Sequence, residues 1–381
     1  MRPDPVAPVN GKMLKFSRDV ASMRRTLIVL ALLLIAGAVM NSCAKKSRPA
    51  RGQIVTESSS PKFMGHKVTV LVKAAPEQLM RHFTEPDHLR MDLGPIKIAH
   101  VSGEKLEKVG DSADYRIQFP GASTVGYRMT LIHRKGDEEL WLMTETTVEF
   151  LVSVLRYQFK RVPDGTLMTC RFELQEPKGA VLGPIARAFN LNEQMVKGTE
   201  FGVAGIQQEF DPTVNPDQLL DQGLRGESYV TFFSASESRA YINAPPSKVD
   251  AYLTSPETWQ KWEKIFKVSG FGRCLTAPGK GACQATINLV ADYKLDFFNS
   301  IYEPGKLSSS WFTSPIAGVG RVQTMLKPKG LGTELSIYYM IEVSQLTPAG
   351  TELLLNLSRA PRTVEQIIAD SQITLESSPK I

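Results

Sequence analysis

An ungapped internal repeat constrains this 381-residue chain more than any other feature. At a constant offset of 170, the segment from Val72 to Leu89 aligns on Ile242 to Trp259, with Ala74/Ala244, Pro76/Pro246, Thr84/Thr254 and Pro86/Pro256 identical. Each copy reads as a strand, then a proline in the first turn of a short amphipathic helix, where its missing N–H is tolerated. Thr-X-Pro then opens a second helix. Further along, Tyr127-Arg-Met-Thr-Leu matches Tyr293-Lys-Leu-Asp-Phe at an offset of 166. Spacing held to within a few residues over that distance implies duplication of whole domains.

The rest of each copy is a series of strands with period-2 alternation. In the last strand of copy one, Met168, Cys170, Phe172 and Leu174 share one face, and Thr169, Arg171, Glu173 and Gln175 the other. Copy two repeats this with Leu335, Ile337, Tyr339, Ile341 and Val343 against Glu334, Ser336, Tyr338 and Glu342. The pattern predicts antiparallel sheets with one buried and one wet face. Cys170 then belongs to the buried face as an inert thiol. Helical stretches of about 183–210 and 348–373 close the copies, the second with a kink expected at Pro361.

Strand, two small helices, about six antiparallel strands and a long C-terminal helix together resemble the START-like superfamily, also called SRPBCC or helix-grip. The resemblance implies an α+β protein of two tandem helix-grip domains, each a curved antiparallel sheet wrapped on its C-terminal helix. It covers residues 66–212 and 228–376, joined by a linker at 213–227. It further implies a cavity between sheet and helix, which in many members holds a lipid, sterol, quinone, polyketide or plant hormone.

Upstream, Met23-Arg24-Arg25, an apolar run from Leu27 to Met40 and Asn41-Ser42-Cys43-Ala44-Lys45-Lys46 have the parts of a secretory signal. The cut before a cysteine resembles the bacterial lipoprotein box, although Met40 stands where that box usually has Leu. A membrane span is the alternative, but the run is shorter than the roughly 20 apolar residues a span needs. The resemblance makes Cys43 the acylated N-terminus and residues 1–43 the signal region. Residues 44–65 then form a flexible tether on the periplasmic side of the cell envelope. Ala44 lacks the aspartate that resembles an inner-membrane retention signal, which points to the outer membrane.

The formal charge of +6 is concentrated in these segments. Residues 1–43 and 44–65 each carry +4, while residues 66–381 hold 34 basic and 36 acidic groups. A nucleic-acid partner would need a basic patch on the folded part, so none is expected. Arg48, Arg51 and their neighbouring lysines suit anionic lipid instead.

No motif demands a cofactor or a metal. The histidines, His66, His82, His88, His100 and His133, fall in copy one and match no metal spacing; they read as surface or capping groups. Gly270-Phe-Gly and Gly279-Lys280-Gly281 are hairpin glycines, and a Gly-X-Ser-X-Gly elbow is absent. Cys274 and Cys283, symmetric about Pro278-Gly279, are either a hairpin disulfide or two thiols on neighbouring strands. Glu145, Asp292 and Asp296 are candidate buried carboxylates, with solvated strand faces as the alternative.

The strands supply apolar lining for a core or a cavity. Tyr127, Met129 and Leu131 alternate in phase, as do Tyr293, Leu295 and Phe297, with Trp141 and Trp311 in the next strands and Tyr339 in the last. Tyr127, Met129, Trp141, Tyr293, Leu295, Phe297, Trp311 and Tyr339 are therefore the candidate ligand-binding residues. The expected function is a lipid-anchored protein that binds or carries a hydrophobic small molecule. The alternatives are a cyclase or dehydratase acting on an oily substrate, and a non-binding envelope scaffold.

Overall fold

The computed structural model describes residues 52–85, 92–93, 96–103, 105–118, 125–146, 152–176, 190–221, 224, 226–266, 268–269, 283–288, 292–314, 318–343 and 360–377. The signal region with Cys43, and also His88 and Cys274, lie outside the described residues. The first half contains β1 (Ile54–Ser59), β2 (Lys62–Val72), α1 (Pro76–Thr84), β3 (Asp92–Leu93), β4 (Ile96–Gly103), β5 (Ser112–Gln118), β6 (Val125–Lys135), β7 (Glu139–Thr146), β8 (Val152–Val162), β9 (Gly165–Gln175) and α2 (Leu191–Phe210). After α3 (Pro216–Asp221) the second half contains β10 (Glu227–Ile242), α4 (Pro246–Thr254), α5 (Pro256–Phe266), β11 (Val268–Ser269), β12 (Cys283–Asn288), β13 (Asp292–Glu303), β14 (Leu307–Ser314), β15 (Gly318–Lys329), β16 (Gly332–Glu342) and α6 (Ala360–Ser377).

Both halves have the same antiparallel strand order. The first strand lies beside the last, β2 by β9 and β10 by β16, and the others return as a meander. The closing helices α2 and α6 pack against β2 and β10, the first strands of their halves. Pro361 stands in the first turn of α6, where proline is tolerated, so the described helix begins at the expected kink.

The hairpins that open the last strands carry a matched device not read from the sequence. A Cβ on Gly165 or Gly332 would fall 2.2 Å from Val72 O or 2.4 Å from Ile242 O, so the close approach of those strands requires glycine. The next residue, Thr166 or Thr333, donates its hydroxyl at 2.6 Å to Ala74 O or Ala244 O. Gly-Thr at 165 and 332 is thus a second signature of the duplication.

Two findings differ from expectation. Residues 54–59 of the expected tether form β1, paired antiparallel to Ala235–Ala240 of β10, while β2 pairs with Glu227–Phe232 of the same strand. The run Ile54-Val55-Thr56 is β-branched and suits a strand. β1 and β2 together line the 16-residue β10, which joins both halves into one 16-stranded sheet.

The second difference is that the polar faces of β9 and β16 are buried where they carry Glu173 and Glu342, while Leu167 of β9 stays exposed and Thr169 half-buried. Glu173 and Glu342 are each only 3% exposed, because these faces meet one another. Ile132, Trp141, Met143, Val152 and Val154 of the first half share a buried cluster with Phe298, Trp311, Val319 and Met340 of the second. Each half keeps its own core on the opposite face. The first is built from β2, α1, α2 and the strands between. The second includes Ile242, Val249, Trp262, Leu335, Ile337 and Ile368.

Candidate functional site: the seam between the halves

Alternation along β7 turns Leu140 and Leu142 towards the first core and Trp141, Met143 and Glu145 towards the other half. The seam is therefore apolar at its centre, with buried ion pairs inserted. Arg156 on β8 places Nη2 2.7 Å from Glu342 Oε2 and 3.0 Å from Glu173 Oε2. Glu173 also accepts from the Tyr229 and Thr231 hydroxyls, both at 3.0 Å. Burial pushes the Glu173 carboxyl up; Arg156 opposes this and the Glu342 charge adds to it. Burial also works against the Arg156 charge, but the two glutamates outweigh it and hold the guanidinium protonated.

The second pair runs the other way. Glu145 of the first half accepts from Arg321 Nη2 of the second, from Ser300 Oγ at 2.8 Å and from Ser309 Oγ at 3.3 Å. Each half thus contributes an arginine to the other's glutamate. The arginines stack on the seam tryptophans, Arg156 4.6 Å from the Trp141 ring centre and Arg321 5.2 Å from that of Trp311.

At one margin of the seam lies a cleft of about 620 Å³. Val101, Asp114, Arg116 and Arg128 line one wall, Ile301, Tyr302, Glu303 and Leu307 the other, and Tyr115, Gly126, Tyr127 and Glu145 complete it. Arg128 spans the cleft, donating to Asp114 at 2.7 and 3.2 Å and to Ser300 O. Partial burial raises the Asp114 carboxyl, but Arg128 outweighs it and brings it below the usual aspartate range. Tyr115 and Tyr127 stack with centroids 5.2 Å apart. Burial, followed by the neighbouring Tyr115, pushes the Tyr127 phenol up. Arg116 is exposed, and its side chain has no hydrogen-bond or ion-pair partner among the described residues. The cleft therefore combines apolar and aromatic walls, a neutralised polar floor and one available guanidinium.

The candidate ligand residues are divided by this arrangement. Tyr127 lines the cleft and packs on the first core, where Met129 is buried. Leu295, Phe297 and Tyr339 are buried in the second half. Trp141 and Trp311 face the seam instead of the inner side of their own sheets; period 2 could not assign them a face, because phase does not carry across a hairpin. Tyr293 is in β13, its side chain outside what is described. Cys283 is disulfide-bonded, with its partner outside the described residues. Cys170 is buried among apolar neighbours, and burial pushes its thiol up to about 12. Glu145 is the candidate carboxylate that the seam engages.

Sequence reasoning missed two of the histidines. His66 and His82 are 1% and 3% exposed, neither at the surface. His82 Nδ1 lies 3.1 Å from Glu209 of α2. His66 Nε2 lies 3.1 Å from Glu200 Oε1, also on α2, and its Nδ1 lies 3.1 Å from Ser228 Oγ. The same Glu200 oxygen accepts from the Gly226 amide at 3.1 Å. This Ser–His–Glu chain ties β2, α2, β10 and the linker together, with the imidazole closed off from solvent. Among the described residues no group of His, Cys, Asp and Glu could hold a metal ion, and no helix is long and apolar enough to cross a membrane.

No protein-family model matches the chain, and no curated protein does. Among solved structures, the di-domain ARO/CYC StfQ from the steffimycin biosynthetic pathway is 10% identical over 81% of this chain and 98% of its own, with a TM-score of 0.30. The di-domain ARO/CYC BexL from the BE-7585A pathway is 11% identical over 83% and 99%, with a TM-score of 0.31. A protein from Chromobacterium violaceum is 11% identical over 33% and 91%, with a TM-score of 0.27. At such scores these likenesses decide neither fold nor activity, and the duplicated architecture stands on its own strand order.

Proposed function

We propose that this protein binds a hydrophobic small molecule carrying an acidic group in the cleft between its halves, and does so while tethered to a membrane through acylated Cys43. The observation that carries the proposal is the cleft itself. Its volume of about 620 Å³ falls in the range of small-ligand sites, which are mostly apolar with a few placed polar groups. Asp114 and Arg128 satisfy each other and Glu145 is satisfied by Arg321, so Arg116 is the cation left to meet a ligand acid. The inner faces proposed from the helix-grip resemblance are largely filled by core side chains in the first half, which moves the proposed site from those cavities to the seam.

β1 shortens the tether. Ten residues lie between Cys43 and Ile54, eleven steps along the chain, so an anchored Cys43 holds the start of β1 within about 40 Å of the membrane.

A cyclase or dehydratase reading is favoured by one observation, the buried Arg321–Glu145 pair at the cleft floor. Both Glu145 oxygens already accept hydrogen bonds, which suits a structural floor better than a proton-transferring group.

The test uses residues 44–381, exported to a periplasm and analysed by mass spectrometry of organic extracts, then titrated with a fluorescent fatty acid and with its methyl ester. The acid should bind more tightly, and Arg116→Ala should weaken acid binding by about tenfold or more with little effect on the ester. Absence of binding, or equal weakening of both probes, would refute the assignment.

A further inference from the structure

We infer that one end of the second half is a membrane-docking surface, with Leu331 and Ile373 as the residues that enter the lipid. The surface is independent of acylation, but its orientation rests on the membrane-tethered reading above.

Strand polarity brings several segments to this end. β1 runs antiparallel to β10 with Ile54 opposite Ala240, so the chain preceding Ile54 leaves towards the end of β10 marked by Ile242. The β15–β16 tip at Gly330-Leu331 lies at the same end, because Thr333 pairs with Ile242. The C-terminal turn of α6 does as well, since Gln372 donates to Tyr241 O at 2.9 Å and the Asn243 amide donates to Glu376 at 3.0 Å. Leu331 is 91% and Ile373 70% exposed there, the two most exposed of the large apolar side chains described.

The duplication supplies an internal control. Leu331 corresponds to Asp164 in the tip between β8 and β9, two residues after Val162 as Leu331 is after Lys329. Ile373 corresponds to Gln208, because Gln207 donates to Leu71 O just as Gln372 donates to Tyr241 O. β2 and β10 are antiparallel, so the end bearing Asp164 and Gln208 points away from where the N-terminal segment leaves. The same fold position is thus apolar where the tether emerges and polar where it does not.

Charge at this end is nearly balanced. Lys329 pairs with Glu334 and Lys306 with Glu303, Glu376 is held by Asn243, and Lys248 and Lys327 remain. Docking here therefore relies on apolar insertion, while Lys45, Lys46, Arg48 and Arg51 of the preceding segment add attraction to anionic headgroups. An apolar groove of about 560 Å³ opens at the same end, bounded by the β13–β14 tip, and Leu307 lines both it and the cleft at the seam. A lipophilic ligand leaving the bilayer would meet this groove first.

Residues 44–381, which lack Cys43, should be floated with vesicles of phosphatidylethanolamine containing a minority of phosphatidylglycerol, at low and high salt. The expected result is flotation that survives high salt and falls by more than about tenfold in the double variant Leu331→Asp/Ile373→Asp. The variant should keep the wild-type melting temperature, since both side chains are exposed. Failure of the parent to float, flotation abolished by salt alone, or equal flotation of parent and variant would overturn the inference. Acylation is read separately from the mass of the exported full chain, so its failure remains distinguishable from failure of the surface.

Discussion

Replacing Arg156 by methionine tests whether the two halves are held by a buried charge network. Arg156 and both of its glutamate partners are 3% exposed, at 2.7 and 3.0 Å. Methionine restores part of the contact with the Trp141 ring and leaves two carboxylates facing each other without a cation. Removing one partner of a buried pair costs about 3–5 kcal/mol, a large share of a total stability that is ordinarily about 5–15 kcal/mol. The loss should depend on pH with a definite sign. Glu173 already has a raised carboxyl value in the folded protein, so folding favours its protonated form and its contribution to stability falls as pH rises through that value. Without Arg156 the Glu173 carboxyl moves further up, and the cost at pH 7.5 should shrink by about 1.4 kcal/mol or more at pH 5. Urea unfolding at both pH values, followed by tryptophan fluorescence, measures this directly. Adding Glu173→Gln and Glu342→Gln should recover most of the loss at pH 7.5, because no buried charge then remains unpaired. A cost below about 1 kcal/mol at pH 7.5, or one that does not change with pH, would refute the reasoning.

Three further predictions concern the framework of the two halves. Thr166→Val and Thr333→Val each remove a buried hydroxyl that donates at 2.6 Å to the carbonyl of Ala74 or Ala244; each should cost about 1 kcal/mol and leave a carbonyl unpaired, with similar falls in urea midpoint if the halves are structural equivalents. Gly202→Ala should stabilise by roughly 0.5–1 kcal/mol, since nothing lies within 4 Å of an added Cβ and alanine suits a helix interior. Gly320→Ala should destabilise by about 1–3 kcal/mol, because its Cβ would fall 2.0 Å from the Phe312 ring. Thermal melts of the two glycine variants should therefore move in opposite directions.

The seam also bears on how the protein could work. A ligand in the cleft would touch both halves, at Arg116 and Val101 on one side and Ile301 and Leu307 on the other. Long linkers usually imply mobile domains. Here, however, β10 pairs with strands of both halves, the seam has a continuous apolar centre, and two ion pairs cross it. The cleft is consequently held at a set width by the same residues that weld the molecule.

The chain's order along itself determined the duplication, the two-residue alternation of β9 and β16, the proline-opened helices and the burial of Cys170, because each is a local pattern with the period of the element that carries it. Tertiary structure decided what covered each face. Alternation separates Glu173 from Cys170 and Glu342 from Ile341, but it is silent on whether the polar side meets water or an arginine on the opposite half. For the same reason Trp141 and Trp311, readable as lining, proved to belong to the seam. Ile54-Val55-Thr56 had strand character all along, yet only the free edge of β10 turned it from tether into β1. His66 acquired its glutamate and serine from segments 134 and 162 residues away. Pairings over such distances depend on which surfaces the chain brings together, and a one-dimensional pattern does not contain that information.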